Sequence, residues 1–589
     1  MFKLLRRFKW IEWIQLAISI AFISSQVWLD LKLPDYMSEV TRLVQTPGSE
    51  IREIWVTGGY MLLCAVGSLI AAFIVGFFAA RLAATLSYRL RTDLYDKVES
   101  FSMEEIGLFS TSSLITRSTN DITQVQTIVA MGLQVMIKAP IMATWAIVKI
   151  SGKSWQWSTA TGSAILFLIS IVSVLIIFAM PKFKIIQKLI DNLNRVTREN
   201  LIGVRVVRAY NAEDYQTDKF EVANEKLTKT NLFTGRLMAI MMPSMQLIMN
   251  GLSLSIYWIG AYLINGAAME AKLGLFTDMI VYSSYAMQVV MSFMMLIMIF
   301  VIFPRAAVSI NRINEVLDTD AKIIDGDLSQ IPWSMGEVEF KNVSFKYPDA
   351  NEYVLHNISF KAEPGETIAF IGSTGSGKST LINLIPRFYD ATEGEILING
   401  INIKEYKQKD LYNKIGYVPQ KAVIFSGTIK SNIDFGEGHK KKLNLEDIKE
   451  AAEIANASEF IEKMKNTYDA AVAQGGTNLS GGQKQRLAIA RAIGREPEIL
   501  IFDDSFSALD YKTDKKLRED LDKQKIGSTT FIVAQRIGTI RNADKIIVLD
   551  EGKIVGIGRH DELIKDCHVY QEIAYSQLSK EEISYDARA

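Results

Sequence analysis

Six stretches in the first half of the chain stay apolar for long enough to cross a bilayer, which takes about 20 residues as a helix. They lie near 10–29, 56–80, 129–150, 160–180, 237–264 and 277–303. The third carries Lys138 within it and Lys149 near its end, so it is the least apolar of the set. Residues 80–130 and 181–236 contain few Gly or Pro breakers and keep helix-favouring patterns. Each of these segments leaves one span and re-enters as the next, which predicts helical stalks reaching a soluble domain. An amphipathic helix lying on the membrane surface is the other reading. After the sixth span the pattern changes. Residues 311–333 are polar and turn-rich, with Asp318, Asp320, Asp325, Gly326 and Pro332, and read as a linker. From 334 to 575, short alternating or wholly apolar runs bounded by turn residues predict an α/β domain, and 576–589 is left as a C-terminal tail.

Composition adds limits. The chain has 589 residues, too many for one domain, and a formal net charge of +0, which favours neither nucleic acid nor an anionic surface as partner. Cys64 and Cys567 give no sign of a disulfide, and no Cys/His cluster has metal-site spacing. The long first apolar run has no small-residue cleavage site after it, so no removable signal is expected. Lys and Arg are unevenly placed. Lys3, Arg6, Arg7 and Lys9 precede the first span; Arg81, Arg89, Arg91, Lys97 and Arg117 follow the second; eleven more lie from Lys182 to Arg236. The opposite side holds only Lys32, Arg42, Arg52, Lys153 and Lys272. By the positive-inside rule both termini are cytoplasmic, in a multi-pass protein of the cell membrane.

The clearest chemical signal is Gly372-Ser373-Thr374-Gly375-Ser376-Gly377-Lys378-Ser379, which follows the apolar run Thr367–Ile371 and opens a helical pattern at Thr380. Strand, glycine-rich loop and helix together make the setting of a P-loop. Glycines let successive backbone N–H groups turn toward phosphates, and the helix adds the positive end of its dipole. Lys378 is expected to reach the β- and γ-phosphates and Ser379 to take a place on Mg²⁺. The bound ligand is then a nucleoside triphosphate. Downstream, Ile499–Phe502 is a buried-strand pattern ending in Asp503, a carboxylate placed where open α/β sheets bind ligands, and a second candidate for Mg²⁺.

Between these two lie Tyr417-Val-Pro-Gln420 and Leu479-Ser480-Gly481-Gly482-Gln483, and Thr530–Arg536 follows. With them the chain resembles a half-transporter of the ATP-binding cassette (ABC) exporter family over nearly all its length. The resemblance implies a membrane domain of six transmembrane helices with long cytoplasmic extensions, followed by an α/β P-loop ABC ATPase domain. It implies that Tyr347 stacks on adenine and that Gln420 couples Mg²⁺ to the membrane domain. Leu479–Gln483 resembles the family's signature motif, and Ser507-Ala-Leu-Asp510 its loop linking two nucleotide sites. Two cassettes would then pair head to tail, with Ser480 and Gly482 meeting the γ-phosphate in trans. Thr111–Arg117 and Arg208–Tyr215 resemble the two coupling helices at the stalk tips.

The departures are informative. Where the family usually has Glu after the Mg²⁺ aspartate, this chain has Asp504; where it has a switch histidine, this chain has Gln535. Asp is one methylene shorter, and a misplacement of about 1 Å can cost on the order of 10²-fold in rate. Gln brings no cationic character. None of His356, His439, His560 and His568 stands at the switch position. Ala473-Gln474-Gly475 stands where many relatives have Gly-Glu-Gly. With its signature motif intact, the chain resembles the degenerate-site subunit of heterodimeric bacterial multidrug exporters. Its partner would be a non-identical half-transporter that supplies Glu and His. The expected cargo is a small apolar or amphipathic compound, with lipid, peptide, haem or metal-chelate transport, or a mainly regulatory ATP-binding role, as alternatives.

Spans five and six hold half of the chain's 22 methionines, among them Met287, Met291 and Met295, with Phe293 beside them. Flexible thioethers suit a surface that adapts to varied apolar ligands, and they equally suit helix packing or lipid contact. Lys138 faces a cavity or binds an anionic group, or, as such residues more often do, snorkels to the interface.

Overall fold

The computed structural model describes residues 8–46, 48–151, 153–328, 336–436, 442–507, 509, 511–523 and 527–577. Two compact units emerge: Met1–Glu99 with Ser112–Thr319, and Ser100–Thr111 with Asp320–Ala589.

The first unit is helical: α1 (Trp10–Gln45), α2 (Ile51–Glu99), α4 (Thr111–Thr116), α5 (Ile122–Ser151), α6 (Trp155–Ile202), α7 (Val204–Ala209), α8 (Glu213–Ala239), α9 (Met241–Gly266) and α10 (Met269–Asp318). The short α3 (Met103–Phe109), between α2 and α4, groups with the second unit. Among the described residues six helical segments are long and apolar enough to cross a membrane. Their bounds differ from the hydropathy limits for physical reasons. The first span was expected to end at Leu29, before a run of charges, yet α1 continues through Pro34 to Gln45. Those charges are spent inside the unit: Asp30 pairs with Lys138 of α5 at 3.2 Å and Asp35 with Lys149 at 2.8 Å. The fifth span is interrupted at Ile240, just ahead of Pro243. At the far end α10 carries on to Asp318, so the first part of the expected linker is helix. Residues 329–335 of that linker, with Pro332 and Trp333, and residues 578–589 of the tail lie outside the described residues.

Packing of α1 and α2 follows one buried stripe on each helix. On α1 it is Ser19, Ile23, Val27 and Leu31, spaced by one helical turn; on α2 the small residues Ser68, Ala71, Ala79 and Ala83 let the backbones approach. The buried aromatics each reach a polar partner, as their N–H and O–H groups require. Trp157 donates to Ile256 O at 3.2 Å, and Tyr285 to Leu31 O at 2.9 Å.

Among its described residues the second unit contains three sheets. A four-stranded antiparallel sheet has the order β2-β1-β4-β5, built from Val338–Phe345 (β1), Leu355–Ala362 (β2), Glu393–Ile398 (β4) and Ile401–Asn402 (β5). The main sheet has the order β12-β11-β3-β10-β9-β6, from Thr367–Gly372 (β3), Ile415–Val418 (β6), Ile499–Asp503 (β9), Thr529–Val533 (β10), Lys545–Asp550 (β11) and Lys553–Gly558 (β12). Strands β11, β3, β10, β9 and β6 run parallel and β12 closes the edge antiparallel. A small pair, β7 (Gly427–Thr428) with β8 (Ala471–Val472), completes the set. Two apolar cores flank the main sheet, because strands buried on both faces read as continuous Ile/Leu/Val/Phe runs.

One buried ion pair aligns the strands that carry the chemistry. Lys414, just ahead of β6, meets Glu498, just ahead of β9, at 2.5 Å, and Asn399 adds a hydrogen bond to Glu498 at 2.9 Å. Removing one member takes the counter-ion from a buried charge. Glu498→Ala is expected to cost roughly 3–5 kcal/mol, read as a lower denaturation midpoint of the ATPase unit. Glu498→Gln, which still accepts from Asn399, should cost less; equal midpoints for the two variants would contradict this role.

Candidate functional site: a nucleotide-binding edge

Parallel register brings the candidate residues to one edge. Val533 of β10 pairs with Phe370 of β3 and with Asp503 of β9, while Phe502 pairs with Val418 of β6. The loop after β3, Asp503–Asp504, Gln420 and Gln535 therefore all leave the sheet at its C-terminal side, the side where such sheets bind ligands.

The loop itself needs its glycines. Gly372 packs so closely on β11 that a Cβ there would lie 2.0 Å from Leu549 O, and Gly375 and Gly377 have φ of 88° and 94°. Gly377 caps α11 (Lys378–Leu384), whose first residue turns back over the loop. Lys378 donates to Gly372 O at 2.9 Å, Ser373 O at 2.7 Å and Ser376 Oγ at 3.2 Å. Burial pushes its ammonium below the usual lysine range, against the pull of Asp504 and Asp503. The donors of Lys378 are thus spent on two backbone carbonyls and a hydroxyl of its own loop.

Ser379 Oγ donates to Asp503 Oδ1 at 2.8 Å. Burial raises the Asp503 carboxyl above its ordinary range, an effect that the Ser379 hydroxyl only partly offsets. A hydroxyl and a desolvated carboxylate side by side are hard oxygen donors of the kind Mg²⁺ selects, so these two residues fit the ion. Asp504 stands apart. It holds φ of 45°, its N–H donates to Val533 O at 2.9 Å, and its Oδ2 receives Gln535 Nε2 at 2.7 Å and Gln420 Nε2 at 3.3 Å. The sequence singled out these three residues separately; the fold joins them on one oxygen. Burial raises the Asp504 carboxyl as well, while the two amides pull it back.

Tyr347 lies on the same unit, edge-on to Phe345 and Tyr389, with its hydroxyl 3.0 Å from Thr380 Oγ1. Leu479–Gln483 forms the start of α12 (Gly481–Ile493): Ser480 is its N-cap, accepting from Gln483 N at 3.3 Å, while Gln483 Oε1 accepts from Ser480 N at 2.8 Å. Ser480 and Gly481 are exposed, and Gly481 has open space around it. In the nearby turn Gly475 O takes Lys484 Nζ at 2.9 Å. Ser507 donates to Asp504 O at 2.8 Å; Ala508 and Asp510 of that loop lie outside the described residues, as does His439. His560 is buried against Tyr570, away from the switch position.

Thr111 is the first residue of α4, and Arg117 turns to Glu315 and Arg312 O of α10, both at 2.8 Å. The segment that groups with the ATPase unit is Ser100–Thr111, ahead of Arg117. A capping box starts it: Glu105 accepts from Ser102 N at 2.8 Å, and Glu104 N donates to Ser102 Oγ at 3.2 Å. Lys322 pairs with Glu104, and the two border a cavity of about 230 Å³ with Tyr347, Lys346 and Tyr389. Sequence reading missed this helix, although its Ser-x-x-Glu signature was visible. Arg208 and Tyr215 are exposed at the ends of α7 and the start of α8. On α10, Met287, Met291 and Met295 share a face, Met291 and Met295 being 44% and 40% exposed, whereas Phe293 packs on the core.

Comparison with known proteins agrees with this geometry. The description of the ABC transporter transmembrane region matches residues 13–293, and that of the ABC transporter itself matches 355–507. An uncharacterized ABC transporter ATP-binding protein of Mycobacterium tuberculosis is 39% identical over 525 residues, 88% of this chain and 87% of its own. YfiB of Bacillus subtilis, also an uncharacterized ABC transporter ATP-binding protein, is 38% identical over 537 residues, 90% and 91% of the two chains. The ATP-dependent lipid A-core flippase of Pseudomonas aeruginosa is 32% identical over 508 residues, 86% and 82%. A solved bacterial Atm1-family ABC exporter with ATP bound shares the fold with a TM-score of 0.79, at 24% identity over 97% of this chain and 100% of that one. This chain belongs to the ABC transporter family. It is a half-transporter of the exporter type, a multi-pass membrane protein with an ATP-binding ABC ATPase domain in the same polypeptide.

Burial sets a pH dependence with a definite sign. Because Asp503 and Asp504 are raised, the folded unit keeps their protons to higher pH than the unfolded chain does. The stability they contribute is complete below the ordinary carboxylate range and is lost as pH rises through the raised values. Asp503→Asn should therefore raise the Tm of nucleotide-free protein near pH 7.5, at about 2–4 °C for each kcal/mol relieved, and change little near pH 3. Calorimetry across pH checks this; a lower Tm for the variant near pH 7.5 would refute it.

Proposed function

We propose that this chain is the slow half of a heterodimeric exporter of apolar or amphipathic compounds in the cell membrane, with both termini cytoplasmic. Its P-loop, Gly372–Thr380, holds ATP, with Tyr347 against the adenine. Its Leu479–Gln483 turn completes a competent site on a non-identical partner that carries Glu and His. The observation that carries this reading is the bonding of Asp504, whose Oδ2 is taken by both Gln535 and Gln420. A carboxylate that orients an attacking water needs a free lone pair and the reach to use it. Asp504 is short of reach by one methylene, its Oδ2 is shared by two neutral amides that hold the side chain within its own site, and Gln535 cannot carry a proton or a positive charge.

Ser379 and Asp503 would hold Mg²⁺, whose chemistry is to offset charge on the β- and γ-oxygens. The chain's own part is positioning: Lys378 moves from carbonyls to phosphate, and the loop's N–H groups follow. Gln420, bonded to Asp504, links the loop after β6 to the carboxylate pair. A second reading, transport of a lipid, has one observation in its favour, the similarity to a lipid A-core flippase over 86% of this chain.

ATP hydrolysis by the transporter purified with its partner tests the proposal. Asp504→Glu together with Gln535→His should add turnover at this chain's site, by roughly 10–100-fold over its own basal rate. Brisk hydrolysis by a self-paired assembly of this chain alone would overturn the reading.

A further inference from the structure

A charged layer lies deep in the membrane unit, and the nucleotide chemistry makes no use of it. Asp30 of α1 and Lys138 of α5 meet at 3.2 Å with both side chains 22% exposed. Ser68 of α2 donates to Asp30 Oδ1 at 2.5 Å. Gln288 of α10 donates Nε2 to Asp30 O at 3.5 Å, and its Oε1 is buried with no partner among the described residues. The helical rise puts Lys138 about 14 Å from residue 129, the nearer end of the expected third span. A lysine stem cannot reach that end, so this side chain does not snorkel. A cation kept at such depth is costly and marks a functional site. Toward the ends of the helices, Asp35 is already served by Lys149, Lys32 and the Tyr285 hydroxyl.

Charge decides what the layer would take. Lys32, Lys138 and Lys149 against Asp30 and Asp35 leave an excess of positive charge. The Lys138 ammonium has three donors, of which Asp30 engages one. Should it turn to another anion, Asp30 keeps the Ser68 hydroxyl. A cationic group entering here would instead have to evict Lys138 and add to the surplus. One and two turns along α10 from Gln288, on the same face, stand the exposed Met291 and Met295. They offer apolar, deformable surface beside the charged layer.

We propose that this layer is the head-group site of the cargo: Lys138 takes the phosphate or carboxylate of an anionic amphipath, Gln288 Oε1 accepts from a hydroxyl next to it, and Met291 and Met295 meet the tail. The assignment rests on the reading of the cargo as amphipathic and narrows it to one charge class.

Binding to the intact transporter in phosphatidylcholine nanodiscs tests it, with dodecyl phosphate, dodecanoate and dodecyltrimethylammonium as probes matched in chain length. The phosphate and carboxylate arms separate the two anionic heads. The wild type should prefer at least one anion over the cation by about tenfold or more, near 1.4 kcal/mol. Lys138→Gln with Asp30→Asn removes both charges together, so no lone ion is left buried, and should erase that preference; Lys138→Arg should keep it. Equal or tighter binding of the cation, or an anion preference that survives the double substitution, overturns the head-group site and leaves amphipath export standing. Failure of all three probes to bind the wild type sinks both.

Discussion

The hydrogen-bond ladder joining β3, β10, β9 and β6 in parallel is the constraint on which the nucleotide site depends. A parallel ladder gives every strand the same direction, so the residues that follow each strand emerge together. Glycine-rich loop, carboxylate pair, Gln420 and Gln535 come from segments far apart in sequence and need no further device to meet. A slip of one residue between β9 and β10 would turn Asp503 to the other face and separate Asp504 from Gln535. The Lys414–Glu498 pair sits at the opposite end of β6 and β9 and opposes the corresponding slip between those two strands. Its desolvation is tolerable because both ions are bonded at close range and Asn399 fills a further lone pair.

Desolvation acts in both units, with different outcomes. In the ATPase unit it raises two neighbouring carboxyls and depresses the lysine above them, a poised arrangement that an anion and a cation arriving together would relieve. In the membrane unit charges pair with one another across helices: α1 meets α5 through Asp30–Lys138 and Asp35–Lys149, and α2 through Arg89–Glu12 at 2.7 Å. Polar pairs of this kind fix rotation and register of helices whose apolar faces alone would slide.

Much of this was legible in the chain. The strand–loop–helix around Lys378 and the apolar run ending at Asp503 are local signals, and local signals survive in sequence. The membrane spans were readable as runs, but their ends were not. Asp30, Lys32 and Asp35 look like a helix terminus until their lysine partners on α5 are known, and such pairing is visible only in three dimensions. The same holds for Asp504, Gln420 and Gln535, which the sequence marks one by one and only the register unites. The start of α3 was written locally in Ser102 and Glu105, yet its membership of the ATPase unit depends on Lys322, far along the chain.

That membership has a consequence for synthesis. Lys322 N reaches Glu105 Oε1 at 3.3 Å across a separation of 217 residues. Translation proceeds at about 5–20 residues per second, so α3 is made well before the rest of the unit it joins. Its capping box lets the turn form alone and wait, while four further membrane segments are inserted. The ATPase unit therefore closes last, on a piece laid down near the beginning, and a cassette cut free at Asp320 would lack one of its own parts.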